Sequence, residues 1–220
     1  MTFIRKHSLA AIILVGAYVQ ASAQDAATVE RMARESLSHM LGTISVEAKP
    51  QFRGGELWGC ALEFGVLAQD WVYKQGAYIR VGSLFGIISV QGKLAVTLRA
   101  TLHDFDPRTM GFTPSTPASA VFISGTSTTK NAVVESSPSD IPGSIFVIFH
   151  FEQTFAIIAK SLIEDRVTIG IARTKGGTDI PITIDTSVVD TAASGQRTRS
   201  PKAVRDFGDC ASSLVQQTTK

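Results

Sequence analysis

What this sequence has little of narrows it quickly. Cysteine occurs twice in 220 residues, at Cys60 and Cys210. Two thiols so far apart argue against a C-x-x-C redox pair and against the closely spaced ligand sets of structural zinc. Excess charge is almost absent, with 21 basic residues against 19 acidic ones. Long apolar runs are few. Ser8 to Gln20 is the longest, and it is shorter than the roughly 20 residues a membrane-spanning helix needs. No G-x-S-x-G elbow, no H-E-x-x-H pair and no internal repeat occurs.

The first residues carry an address. Arg5 and Lys6 precede the apolar run, and Ala21-Ser22-Ala23 follows it with small residues where signal peptidase reads. That order is the secretory signal pattern. We expect residues 1–23 to be a cleaved signal peptide and 24–220 to form a single mature domain, periplasmic or secreted. No membrane span is expected after cleavage. Leu57-Trp58-Gly59-Cys60 resembles a lipobox only superficially, because it lies far downstream of the apolar run.

Removing the leader changes the charge balance. It holds Arg5 and Lys6 and no acid, so 19 basic residues then face 19 acidic ones. A formally neutral chain offers no support for a nucleic-acid partner. The local cluster Arg197, Arg199, Lys202 and Arg205 reads as a solvated loop and helix start. Roughly 197 mature residues suffice to bury a core without metals. In an oxidising compartment an even cysteine count argues for a Cys60–Cys210 disulfide.

Periodicity supplies the elements. Residues 28–41 repeat apolar side chains at helical spacing through Val29, Met32, Ala33, Leu37 and Met40, with Gly42 as the stop. The middle of the chain reads as strands at 56–67, 71–73, 77–90 and 94–105. Gln91-Gly92-Lys93 turns the last two into a hairpin. Residues 106–143 hold five of the eight prolines among many Ser and Thr. We read them as long surface loops, broken by a short strand at 119–124 and a second candidate at 132–135. Residues 144–151 suit a strand buried on both faces. Residues 154–164 fit a short helix or a strand equally well. Strands follow at 166–173 and 180–185. Ser200 and Pro201 then open a final helix, with Val204, Phe207, Ala211, Leu214 and Val215 on its apolar stripe. The fold expected is α+β: an antiparallel sheet or sandwich with N-terminal and C-terminal helices, the latter tied to the sheet by the disulfide.

Candidate chemistry is sparse. Ser127-Thr-Thr-Lys130 matches the S-x-x-K of penicillin-binding proteins and β-lactamases, but it lies in a Thr-rich stretch, and Lys175-Gly176-Gly177 is only an echo of the partner motif. His103 and Asp104 end one strand and His150 ends another. If those strand ends met, they could support acid–base or metal-assisted hydrolysis. The spacing is not that of a metal motif, and we assign no metal, no cofactor and no catalytic residue beyond these three candidates. Trp58, Trp71, Tyr73 and Tyr78 gather near Arg80. Trp71, Tyr73 and Arg80 are weak candidates for a binding platform, while Trp58 is expected to pack on the disulfide.

In outline, an exported β-rich domain with two distant cysteines and a last helix carrying Phe207-x-x-Cys210 resembles the small proteobacterial envelope proteins of the invasion-associated locus B group. The resemblance is architectural and carries over no residue and no activity. The function these observations favour is non-enzymatic. The chain would bind an envelope partner, protein or small molecule, through the 106–143 loops. A hydrolase or metal-dependent enzyme using His103, Asp104 and His150 is the alternative, and a carrier of apolar ligands is a third reading.

Overall fold

A computed structural model describes residues 28–218. The expected signal peptide at 1–23 lies outside the described residues. The described residues begin with helix α1 (residues 28–40). It continues through four long strands, β1 (Gly42–Arg53), β2 (Glu56–Asp70), β3 (Ala77–Val90) and β4 (Lys93–Asp106). These form an antiparallel meander in chain order. Strand β1 was not expected from sequence. Thr43 and Val46 are nevertheless buried in it, and the alternation Ile44, Val46, Ala48 was legible. Pro50 is tolerated because β1 is an edge strand.

The β3–β4 hairpin follows expectation. Val90 pairs with Lys93, leaving Gln91 and Gly92 as the two turn residues, both at positive φ (52° and 74°). That pair of angles is what a tight turn between right-twisted strands requires. Residues 71–73, expected as a strand, instead form the turn between β2 and β3. The buried Asp70 explains this: its carboxylate accepts hydrogen bonds from the Val72 and Tyr73 backbone N–H groups and caps the reversal.

The 106–143 stretch departs most from expectation. It contains β5 (Gly111–Pro114), β6 (Ser119–Ser124), β7 (Ser127–Thr128), a 3-10 turn (Lys130–Ala132) and β8 (Val133–Pro138). Strand β5 pairs with the end of β4, β6 pairs with β10 (Arg166–Ala172), and β8 pairs with β9 (Ser144–His150). The stretch is therefore the crossover that leaves the large sheet, adds strands to a second one and returns. Its prolines sit at strand ends and turns, where a missing N–H costs no ladder bond.

The large sheet runs β1-β2-β3-β4-β9-β8, with β5 sharing the outer edge of β4. The smaller sheet runs β11-β10-β6-β7, where β11 is Ile180–Asp185. A hairpin of β12 (Val188–Thr191) and β13 (Arg197–Arg199) was also not anticipated. It packs beside β1, and Thr191 donates from its hydroxyl to the Thr43 carbonyl. Residues 154–164 belong to helix α2 (Phe151–Ile163). Its buried Thr154, Ile158 and Ser161 recur at four- and three-residue steps, a helical face.

Both sheets and α3 (Lys202–Thr218) meet at a chain of phenylalanines. Phe85 of β3 lies 6.0 Å from Phe64 of β2, 5.6 Å from Phe122 of the smaller sheet and 6.2 Å from Phe207 of α3. Phe149 of β9 continues the contact from Phe122 at 5.5 Å. The Cys60–Cys210 disulfide ties α3 to β2, with a Cα separation of 5.8 Å. Trp58 is half-buried. A bulge in the β1–β2 register falls beside it, and its ring carries the Arg53 guanidinium at 5.4 Å.

Candidate functional site

Two polar constellations stand out, on opposite faces of β4. The first centres on Arg173, just past the end of β10. Its Nε donates to Asp70 at 2.6 Å, and its two terminal nitrogens donate to both oxygens of Asp104 at 2.6 and 3.3 Å. One of those nitrogens also reaches the Ser115 hydroxyl at 2.9 Å. Lys74 adds a second cation to Asp104 at 2.6 Å. Burial alone would raise the Asp104 carboxyl, but the hydrogen bonds from Arg173 and Lys74 outweigh it and hold Asp104 below the ordinary carboxylate range. Burial likewise opposes the Arg173 charge, and the two aspartates override it and raise its pKa. Every charge here is satisfied by another, and the ends of β2, β4 and β10 are pinned together. This is a structural lock between the two sheets.

The second constellation lies on the face of the large sheet turned away from the phenylalanine core. Alternation places Glu63 and Gly65 of β2, Arg80 and Gly82 of β3, and Arg99, Thr101 and His103 of β4 on this face. The register puts Arg80 opposite His103, and Gly82 opposite both Gly65 and Thr101. Together they line a groove of about 840 Å³. Ile141, from the crossover stretch, contributes to it, as do Lys202 and Asp206 at the start of α3. Burial lowers the His103 pKa, and the neighbouring Arg80 charge lowers it further against a smaller opposing pull from Asp104. His103 is therefore a neutral hydrogen-bonding group at neutral pH, either donor or acceptor.

The structure separates the residues grouped as an enzyme candidate. His103 and Asp104 are neighbours on a strand and point to opposite faces, His103 to the groove and Asp104 to the Arg173 lock. His150 pairs with Ala95, eight residues back along β4 from His103. At a rise of about 3.3 Å per residue that separation is roughly 25 Å, far beyond hydrogen-bond reach. His150 sits exposed before the first turn of α2. The catalytic grouping of His103, Asp104 and His150 is thus not assembled. Among the described residues, no cluster of three or more His, Cys, Asp or Glu side chains could hold a metal ion. Ser127 is exposed in β7, and Lys130 pairs with Asp179 at 2.7 Å, so the S-x-x-K stretch does not bring its serine and lysine together on a helix start.

The aromatic candidates also divide. Trp71 is 71% exposed and lies across Gly76 in the β2–β3 turn. The Tyr73 hydroxyl donates to the Thr178 carbonyl at 2.5 Å, bracing the β10–β11 loop. Only Arg80 of that trio lines the groove. Sequence reasoning missed Arg99, Gly65 and Gly82. Arg99 looked like one polar residue on an alternating strand. Its placement across from Gly82's neighbours depends on strand register, which no local pattern reveals.

No protein-family model, no curated protein and no solved structure matches this chain. Among the described residues no helix is long and apolar enough to cross a membrane.

Proposed function

We propose that this protein is an exported, non-enzymatic binding protein of the cell envelope, and that its ligand lies in the groove on the outer face of the large sheet. The leader pattern and the disulfide support the export reading. The groove itself supports binding, and one observation carries it: the floor is glycine where packing does not demand glycine. A Cβ at Gly82 would meet nothing nearer than the Thr101 Cβ at 3.9 Å, and one at Gly65 nothing nearer than 3.8 Å. Those are ordinary contacts, and glycine weakens a strand. Its presence at two paired positions keeps the floor clear. The 106–143 stretch contributes to this reading through Ile141, as part of the groove rather than as free loops.

Filling the floor tests the proposal. A ligand that binds only the native protein raises its melting temperature. Compounds that stabilise the wild type should lose that effect in Gly82→Trp. A hit that stabilises Gly82→Trp equally would place its site elsewhere, and a broad library without a groove-dependent hit would sink the reading. Export is checked separately, by N-terminal sequencing of the processed chain, which should begin at Gln24.

A second reading has its own observation. Between α2 and α3 lies an apolar cleft of about 520 Å³, lined by Ile87, Phe155, Leu162 and Phe207 among others. This is where the apolar-ligand carrier would hold its cargo. A fluorescent apolar probe displaced by long-chain fatty acid from the wild type, but not bound by Ala159→Arg, would favour it.

A further inference from the structure

Among the described residues, nothing pairs with two of the positive charges that line the groove. Each acidic side chain lining it has a cation: Glu47 pairs with Lys49 at 2.7 Å, Glu63 with the same lysine at 3.9 Å, and Asp206 with Lys202. The guanidiniums of Arg80 and Arg99 have no hydrogen-bond or ion-pair partner among the described residues, and the Arg99 Nε is buried without one. A buried donor on a charged group is costly to leave unpaired, and guanidinium is the side chain best shaped to clasp a planar or tetrahedral oxyanion.

Their placement is that of a clamp. Arg80 lies one row to one side of the Gly82–Thr101 row, and Arg99 one row to the other. The two rows are about 13 Å apart at the rise of a strand. Two arginine side chains can converge over that span, and the glycines between them leave the space open. His103, opposite Arg80, adds a neutral hydrogen-bonding group beside the clamp. We infer that the groove binds an oxyanion, a ligand bearing carboxylate, phosphate or sulfate, held between Arg80 and Arg99 above the Gly65–Gly82 floor. The inference rests on the groove being the ligand site and names the chemistry that site selects.

The test uses the full mature chain, isotopically labelled, at constant ionic strength. Succinate, inorganic phosphate and sulfate are titrated separately, with succinamide as the uncharged match to succinate. At least one anion should shift the backbone amides of Gly65, Gly82 and Thr101 and the arginine Nε–H signals, with succinamide at least tenfold weaker. The arms also show which oxyanion geometry fits. Arg80→Gln and Arg99→Gln should each weaken that binding about tenfold or more, as expected for loss of a charge-assisted fork. Arg80 is exposed, so its variant remains folded and informative even if Arg99→Gln does not. If succinamide shifts the groove as strongly as succinate, the oxyanion inference falls while the groove reading stands. Anion binding unchanged by Arg80→Gln also overturns the inference. If no probe, charged or neutral, perturbs the groove, both fall together.

Discussion

Replacing Arg173 by methionine isolates what the buried ion lock contributes. The substitution keeps the length and the apolar stem of the side chain and removes its four hydrogen bonds to Asp70, Asp104 and Ser115. The two carboxylates then fare differently. Asp104 is 19% exposed and keeps Lys74, so it loses little. The Asp70 side chain is 0% exposed and retains only the two backbone N–H groups of its own turn. Breaking a buried pair from one side costs about 3–5 kcal/mol, because the remaining charge is uncompensated. Against a total stability of roughly 5–15 kcal/mol that is a large fraction. At a urea slope of about 2 kcal/mol/M the midpoint should fall by about 2 M with the slope unchanged. The second half of the cycle is diagnostic. Adding Asp70→Asn removes the stranded charge and keeps an acceptor for the turn, so the double variant should recover part of the loss. A loss below about 1 kcal/mol for Arg173→Met, or no recovery in the double variant, would refute the account of Arg173 as the counter-charge of a buried carboxylate.

Other perturbations probe other links. The disulfide closes a separation of 150 residues, which in the chain-entropy model stabilises the fold by up to about 5 kcal/mol. Cys60→Ser/Cys210→Ser should therefore unfold at markedly lower urea, and reduced wild type should match it. Asp104 and Asp185 both have lowered folded pKa values. Their contribution is thus complete above the unfolded carboxylate value near 4 and is lost as pH falls through the lower folded values. Urea midpoints should hold near pH 5 and fall below about pH 4. His103 has the opposite charge type with a lowered pKa. Its unfolded form takes up a proton first, so stability declines slightly as pH drops through about 6.5 and levels off below the folded value. His103→Gln should abolish that small step. Gly86→Ala should cost about 2 kcal/mol or more, because the new Cβ would strike the Cys60 carbonyl and lie 2.8 Å from the Ala61 Cα, both backbone. Gly208→Ala, with open space around it in α3, should instead stabilise by about 1 kcal/mol.

The architecture was largely legible where a pattern is local. Helical spacing located α1 and α3, and Ser200 before Pro201 marked the start of the last helix; its hydroxyl accepts from the Lys202 N–H at 3.2 Å. Alternation located β4, and Gln91-Gly92 its hairpin. Strand β1 is hard to see in the sequence because Pro50 interrupts its alternation, and only its place at the sheet edge lets the proline fit. Within the crossover the strand at 119–124 and the candidate at 132–135 are found, while the remaining short strands look like loops because they are rich in Ser, Thr and Pro. Such segments are strands only when a neighbouring strand supplies the hydrogen bonds.

By itself the sequence determined the α+β class, the helices at both ends and, through cysteine count and export pattern, the pairing of Cys60 with Cys210. Those follow from composition and from periods of two and 3.6 residues, which a chain carries without its neighbours. Only the tertiary structure decided which polar residues meet. It sent His103 and Asp104 to opposite faces, carried His150 to the far end of β4, and set Arg80 and Arg99 about a glycine floor. Strand register makes that decision: it joins residues distant in sequence, and a shift of one residue would turn every side chain of a strand to its other face.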